Sequence, residues 1–279
     1  MAEATLSPVP SKISIPRRSR AKRAEPEVKG AVLYRGASPF VPEDSDNRYA
    51  VILTFQSDNR KTGDMAQVWI IAESTSPLEA RKLGLNAIVC GDCPVKALCY
   101  VNLAQRPRTL YEAYQRGAYP DYDQAAYEHV VAEKGVRFGA YGDPVLIPLP
   151  IVERLAVASG GRYTGYTHQW RLPEYQAYRP YFMASVETLD DIALAESMGW
   201  RWYMVTPDEI PAGAVLCPHQ VESRKYEVNC NTCWACNGSK NRAVGDRQRA
   251  SIVARPTGHN GATARWRNTM EKQRNERSE

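Results

Sequence analysis

Tyr181-Phe-Met-Ala-Ser-Val-Glu-Thr-Leu-Asp-Asp-Ile-Ala-Leu-Ala-Glu-Ser-Met-Gly-Trp-Arg-Trp-Tyr-Met-Val205 reads as strand, helix, strand. The two ends are rich in aromatic and β-branched residues, the strand-forming types. The middle starts at Thr188, a good N-cap. Asp190 and Asp191 follow at the positive end of the helix dipole, and Gly199 is placed to stop the helix. A strand–helix–strand unit sets its strands parallel with a right-handed crossover. The expected fold class is therefore α/β, either a partial (β/α) barrel or an open parallel sheet.

The same alternation extends towards the N-terminus. Strands are predicted over 50–55, 67–72, 136–141, 165–170, 181–186 and 200–205, and helices over 77–83, 109–116, 122–134, 148–159 and 189–198. These make 31–206 an α/β domain of catalytic type. After Val205 the periodicity gives way to Pro207, Pro211, Pro218 and four cysteines, so 207–256 is expected to be a small cysteine-rich, metal-bound C-terminal appendage. Residues 1–30 contain Pro8, Pro10, Pro16, Pro26 and the run Arg17-Arg18-Ser19-Arg20-Ala21-Lys22-Arg23. They read as a disordered basic tail, with 257–279 as a second one.

A chain of 279 residues with 43% hydrophobic content buries a sizeable core, which excludes an entirely disordered protein. No apolar stretch approaches the roughly 18 to 20 residues of a membrane span, so no membrane association is expected. The charged N-terminus has no apolar segment behind it, so the expected location is the cytoplasm, where closely spaced thiols serve metals rather than disulfides. Residues 1–30 hold seven Lys and Arg against three acids, and residues 238–279 hold ten against four. The flanks thus carry +4 and +6, and residues 31–237 carry −5. Basic tails on an acidic body fit attachment to DNA or RNA, or serve solubility alone.

The chemistry concentrates in seven cysteines. Cys90, Cys93 and Cys99 are spaced C-x2-C-x5-C on a turn-rich stretch. Three thiolates leave one coordination position open, whereas a structural zinc site wants four; Asp92 and His129 are candidates for a fourth. Cys217 precedes Cys230, Cys233 and Cys236, a C-x2-C-x2-C run of the kind that wraps an iron–sulfur cubane. The expected cofactor is one or two [4Fe-4S] clusters, with zinc as the alternative. No dinucleotide fingerprint, phosphate loop, H-E-x-x-H or deaminase motif occurs. The segment 233–241 faintly resembles an HNH zinc knuckle, which needs a catalytic histidine in a hairpin; His219 is the nearest.

Thr62-Gly-Asp-Met-Ala-Gln-Val-Trp69, Val89-Cys-Gly-Asp-Cys-Pro94, Cys99-Tyr-Val101, Thr164-Gly-Tyr-Thr-His-Gln-Trp170 and the closing cysteine run resemble an uncharacterised cysteine-rich family of bacteriophage and mobile-element proteins over 60–256. That family is similar at fold level to radical S-adenosylmethionine enzymes, whose partial barrel holds a three-cysteine [4Fe-4S] cluster near the carboxyl ends of parallel strands. Those enzymes mostly carry C-x3-C-x2-C, a different spacing from the one here. The resemblance implies an active cluster on Cys90, Cys93 and Cys99, and an auxiliary one on Cys217, Cys230, Cys233 and Cys236 that passes electrons or anchors substrate. It also implies an electron-donor protein and, for a phage-encoded chain, the host cytoplasm. Gly142 and Asp143 resemble the strand end that holds the amino group of S-adenosylmethionine, and Ser185 and Glu187 resemble its ribose or carboxylate contacts. His168 is the expected proton donor or substrate contact, with Glu187 beside it as a catalytic candidate. Twelve of the sixteen tyrosines fall within 100–181, lining a wet cavity or covering helix surfaces. The expected activity is a radical-type reaction on a nucleic acid or nucleotide. The alternative is a zinc-stapled nucleic-acid-binding protein without catalysis.

Overall fold

The structure, a computed structural model, describes residues 28–43, 46–99, 101–224, 227–239, 250–256, 264 and 266–272. The expected tails lie largely outside them. Two five-stranded sheets with flanking helices form an α/β protein. The first orders β1 (Gly30–Ala37), β2 (Arg48–Thr54), β3 (Ala66–Ala72), β4 (Val136–Tyr141) and β5 (Tyr163–Thr164) side by side. The second orders β6 (Tyr166–Thr167), β7 (Met183–Val186), β8 (Trp202–Val205), β10 (Ser251–Ala254) and β9 (Ala214–Leu216). Pairing is antiparallel in β1–β2–β3 and parallel from β3 through β5 and across the whole second sheet.

Gly165 alone separates β5 from β6. Its N–H donates to Cys236 O at 3.1 Å and its carbonyl accepts from Met183 N at 3.0 Å. A Cβ at this position would stand 2.6 Å from Phe182 Cδ1, so the crossing from one sheet to the other needs glycine.

The helices are α1 (Pro77–Lys82), α2 (Ala87–Cys90), α3 (Arg106–Gln115), α4 (Gln124–Lys134), α5 (Leu149–Ala158), α6 (Leu189–Ser197) and α7 (Cys230–Cys233). Helix α6 begins as its sequence requires. Thr188 Oγ1 accepts from Asp191 N at 3.0 Å while Asp191 Oδ2 accepts from Thr188 N at 3.1 Å, closing a capping box. Among the described residues no helix is long and apolar enough to cross a membrane.

Three expectations need correction. The sheet is not parallel throughout, because β1, which borders the predicted tail, and β2 form an antiparallel ladder onto β3. The strand predicted over 165–170 stops at Thr167, whose Oγ1 accepts from Gln169 N at 2.9 Å and turns the chain. The boundary expected after 206 does not divide the sheet: β10 lies between β8 and β9, so the cysteine-rich stretch is built into the body. Strands of three and four residues between prolines and cysteines are too short to show a period of two.

Alternation in the second sheet separates two cores. Ala184, Val186, Trp202, Met204 and Val253 face the main core with Ile192 and Ala195 of α6. Met183, Ile252 and Ala254 face a smaller one that holds Cys217 and Cys236, with Tyr166, Tyr203 and Val205 against it. By the same alternation His168, Ser185 and Glu187 belong to this second face.

Candidate metal centre

Chain leaving β3 forms α1 and α2, and α2 ends on Cys90. Gly91, at φ +56°, turns the chain into the loop that carries Cys93 and Cys99. Two long-range bonds pin this loop to the carboxyl ends of parallel strands. Asp143 N, just past β4, donates to Val89 O at 2.7 Å, and Gln169 Nε2, just past β6, donates to Cys90 O at 3.3 Å. Gly142, at φ +81°, lets the chain pass here; a Cβ would meet Ile70 Cβ at 2.7 Å.

His168 joins these strand ends. Its N–H donates to Asp143 Oδ2 at 2.9 Å, its Nε2 lies 3.0 Å from Glu187 Oε1, and its ring lies within electrostatic range of the Cys93 thiol. Burial opposes charge on the imidazole, but Cys93 and Glu187 outweigh it and hold His168 well above the ordinary histidine value. Burial, then the neighbouring Cys93 and Cys99 thiols and Asp143, push Cys90 well up, and burial likewise raises Cys99. Half-buried thiols that repel one another as anions would be stabilised by a nearby cation.

The predicted cofactor contacts occupy this rim with different duties. Asp143 is buried, capping the 3₁₀ turn Pro144–Leu146 through Val145 N at 3.2 Å while its other oxygen holds His168 N. Ser185 offers its carbonyl to Trp170 Nε1 at 2.8 Å. Glu187 keeps an acceptor in reserve, because its side chain is 5% exposed and Oε2 has no partner among the described residues. The buried Tyr141 hydroxyl also lacks one, beside Cys90 and Cys99. Sequence reasoning missed Tyr141, since a tyrosine ending an apolar strand looks like core.

The second cysteine group belongs to the smaller core, where Cys217 and Cys236 are buried. Cys217 follows β9, its N–H donating to Val253 O at 2.7 Å. Cys230 and Cys233 bound α7, which docks through Cys230 N on Lys61 O at 2.9 Å and Asn231 N on Thr62 O at 3.0 Å. Arg201 gathers the carbonyls of Ala235, Asn237 and Ala250 at 3.0, 2.7 and 2.7 Å, fixing the turn around Cys236. Burial and the thiols of Cys230, Cys217 and Cys233 push Cys236 up to about 12, with a Tyr166 hydrogen bond opposing them.

None of the seven cysteines, all of them described, forms a disulfide. Among the described residues no three His, Cys, Asp or Glu side chains converge on a single-ion site. His219 Nδ1 is engaged with Val228 O at 2.8 Å on a 3₁₀ turn, and β9 and β10 run parallel; among the described residues no hairpin carries His219. The tyrosines pack within the fold and against helices. Tyr178 is buried, donating to Ile147 O at 2.9 Å, and Tyr127 of α4 packs on Phe55 with ring centroids 5.0 Å apart.

No protein-family model, no curated protein and no solved structure matches this chain.

Proposed function

We propose that the protein is an iron–sulfur enzyme of radical S-adenosylmethionine type, with a [4Fe-4S] cluster on Cys90, Cys93 and Cys99 and a second on Cys217, Cys230, Cys233 and Cys236. The observation that carries the reading is the attachment of the Cys90–Cys99 loop to the ends of β4 and β6 through Asp143–Val89 and Gln169–Cys90. Ligands of parallel α/β folds bind at that rim. Parallel strands β3, β4, β5/β6, β7 and β8 follow one another in chain order, which supports the partial-barrel form of the fold. Beyond burial, Cys93 and Cys99 push Cys90 up, and Cys230, Cys217 and Cys233 push Cys236 up, so the thiols of each group lie within electrostatic range of one another. In a cluster each thiolate would bind a different iron.

With both groups bound, the site would supply one-electron reductive cleavage of the sulfonium and hydrogen abstraction. The chain's own part is to bind and orient. Gly142 admits the close approach of Ile70 and Val89, Asp143 braces His168, and Glu187 Oε2 accepts a hydrogen bond from a ligand hydroxyl or ammonium. The substrate is a nucleic acid or nucleotide held by the basic flanks, and a one-electron donor protein is the second partner. This assignment extends the resemblance to the bacteriophage and mobile-element family.

Anaerobic purification tests the reading. Brown protein with iron and sulfide in excess of zinc, and an electron paramagnetic resonance signal altered by S-adenosylmethionine, is expected. Colourless protein carrying zinc overturns it.

One pair favours a second reading. His168 is held by Glu187 at 3.0 Å, the arrangement of a histidine with its carboxylate support. Zinc in place of iron would leave a metal-stapled nucleic-acid-binding protein, and the zinc outcome of the same measurement is its signature.

A further inference from the structure

We propose that the groove between α1 and residues 101–104 is a nucleotide site, in which Arg81 and Lys82 hold the phosphate and Leu78, Val101 and Leu103 pack on the base or sugar. The inference rests on the reading above in taking the substrate to be a nucleotide, but the binding it describes needs no metal. The groove encloses about 490 Å³, within the roughly 300–1,000 Å³ of small-molecule sites. Arg81 and Lys82 end α1 and Leu78 lies one turn before them, while Val101, Asn102 and Leu103 come from the chain that leaves Cys99. Among the described residues no carboxylate lines the groove; Glu79, the one acid of α1, lies within electrostatic range of Tyr111 instead.

Charge sets this groove apart. Arg35, Arg106, Arg108 and Arg171 each meet a carboxylate. Arg81 and Lys82 meet none among the described residues, and Arg81 donates to Ala97 O at 3.3 Å. That bond anchors the guanidinium and leaves the rest of its planar fork, which matches two phosphate oxygens. Lys82 adds a point charge beside it, and an anion between the two cations relieves their repulsion. A bare anion has no use for the rest of the lining. Leu78 and Val101 are half-buried, and the exposed Asn102 brings an amide that can hydrogen-bond a base edge. A nucleotide supplies both halves, a phosphate and a planar ring. The groove also adjoins the candidate centre, because Arg81 lies within electrostatic range of Cys99 and of the buried Tyr141 hydroxyl, which has no partner among the described residues.

The test is isothermal titration calorimetry of the full chain at low salt. The probes are the four ribonucleoside monophosphates, their nucleosides, inorganic phosphate and a mixed-sequence single-stranded DNA oligonucleotide. At least one monophosphate is expected to bind, with its nucleoside and phosphate each weaker by about tenfold or more, and Arg81→Gln and Lys82→Gln are each expected to weaken it by about tenfold. Both side chains are exposed, so neither substitution disturbs packing. Arg116→Gln removes the same charge from another exposed position and is expected to leave the affinity unchanged. An oligonucleotide that binds more tightly through Arg81 and Lys82 marks a polynucleotide substrate, and one that binds no better than the monomer marks a free nucleotide. No binding by any monophosphate, equal affinity in parent and variants, an equal loss in Arg116→Gln, or phosphate binding as tight as the nucleotide overturns the inference. Colourless zinc protein that binds a monophosphate through Arg81 leaves the groove standing while the iron–sulfur reading falls, and brown protein that binds none overturns the groove alone.

Discussion

His168 Nε2 lies 3.0 Å from Glu187 Oε1, a carboxylate whose second oxygen is buried without a partner among the described residues. Nineteen positions apart in sequence, these side chains meet because β6 and β7 are parallel neighbours and both residues lie just beyond the strand ends. Glu187 thus fixes the His168 ring. Outer groups of this kind are worth about 10- to 100-fold in metal affinity. Glu187→Ala is expected to speed metal loss to a chelator by that order with the circular dichroism spectrum unchanged. Metal retention equal to the parent's would refute the support role.

Cys90→Ser removes a donor from the half-buried trio Cys90, Cys93 and Cys99 and leaves the second group intact. Iron per chain is expected to fall by about half under the two-cluster assignment, with the four-thiol signal retained. Loss of all iron, or none, would show that the groups are not separate centres.

Gly142 combines φ +81° with Ile70 Cβ standing 2.7 Å from where a Cβ would be. Backbone strain and overpacking together predict about 2–5 kcal/mol of lost stability for Gly142→Ala. Denaturant unfolding reads this directly, and a change below about 1 kcal/mol would mean that the strand end relaxes freely.

Burial opposes ionisation of Asp191, but Arg171 at 2.5 Å and the Glu187 N–H outweigh it and hold the carboxyl below its ordinary range. A folded-state value below the unfolded one, near 3.9, stabilises the fold above that pH and is lost as pH falls through the folded value. Asp191→Asn is expected to cost about 1.5–3 kcal/mol at pH 7, with the gap to the parent closing towards pH 2. A thermal-melt difference as large at pH 2 as at pH 7 would contradict this origin.

Removing 1–27 and 257–279 strips segments of net charge +3 and +2 while sparing Ser251–Ala254, which β8 and β9 hold in the sheet. If the flanks bind nucleic acid, the shortened chain binds DNA more weakly and with a shallower salt dependence, the slope falling by roughly one for each phosphate that is no longer neutralised. Unchanged affinity and slope would place the binding surface on the body.

The sequence by itself determined the elements whose cause is local. Periodicity and end signals sufficed for β4 and, to within a residue or two, for α1, α5 and α6, where Thr188 and Asp191 close a capping box three residues apart. The cysteine spacings marked both thiol groups, since no packing rule produces such runs. Tertiary structure alone decided what those elements bring together. Gln169 meets Cys90 across 79 positions and His168 meets Asp143 across 25, contacts fixed by the order and direction of strands. The same long-range pairing draws Ser251–Ala254 into the second sheet, where four residues with no readable period are held by neighbours on both sides. A strand's own residues carry its preference for extended chain, but the hydrogen bonds that choose its partners form only after distant segments have packed.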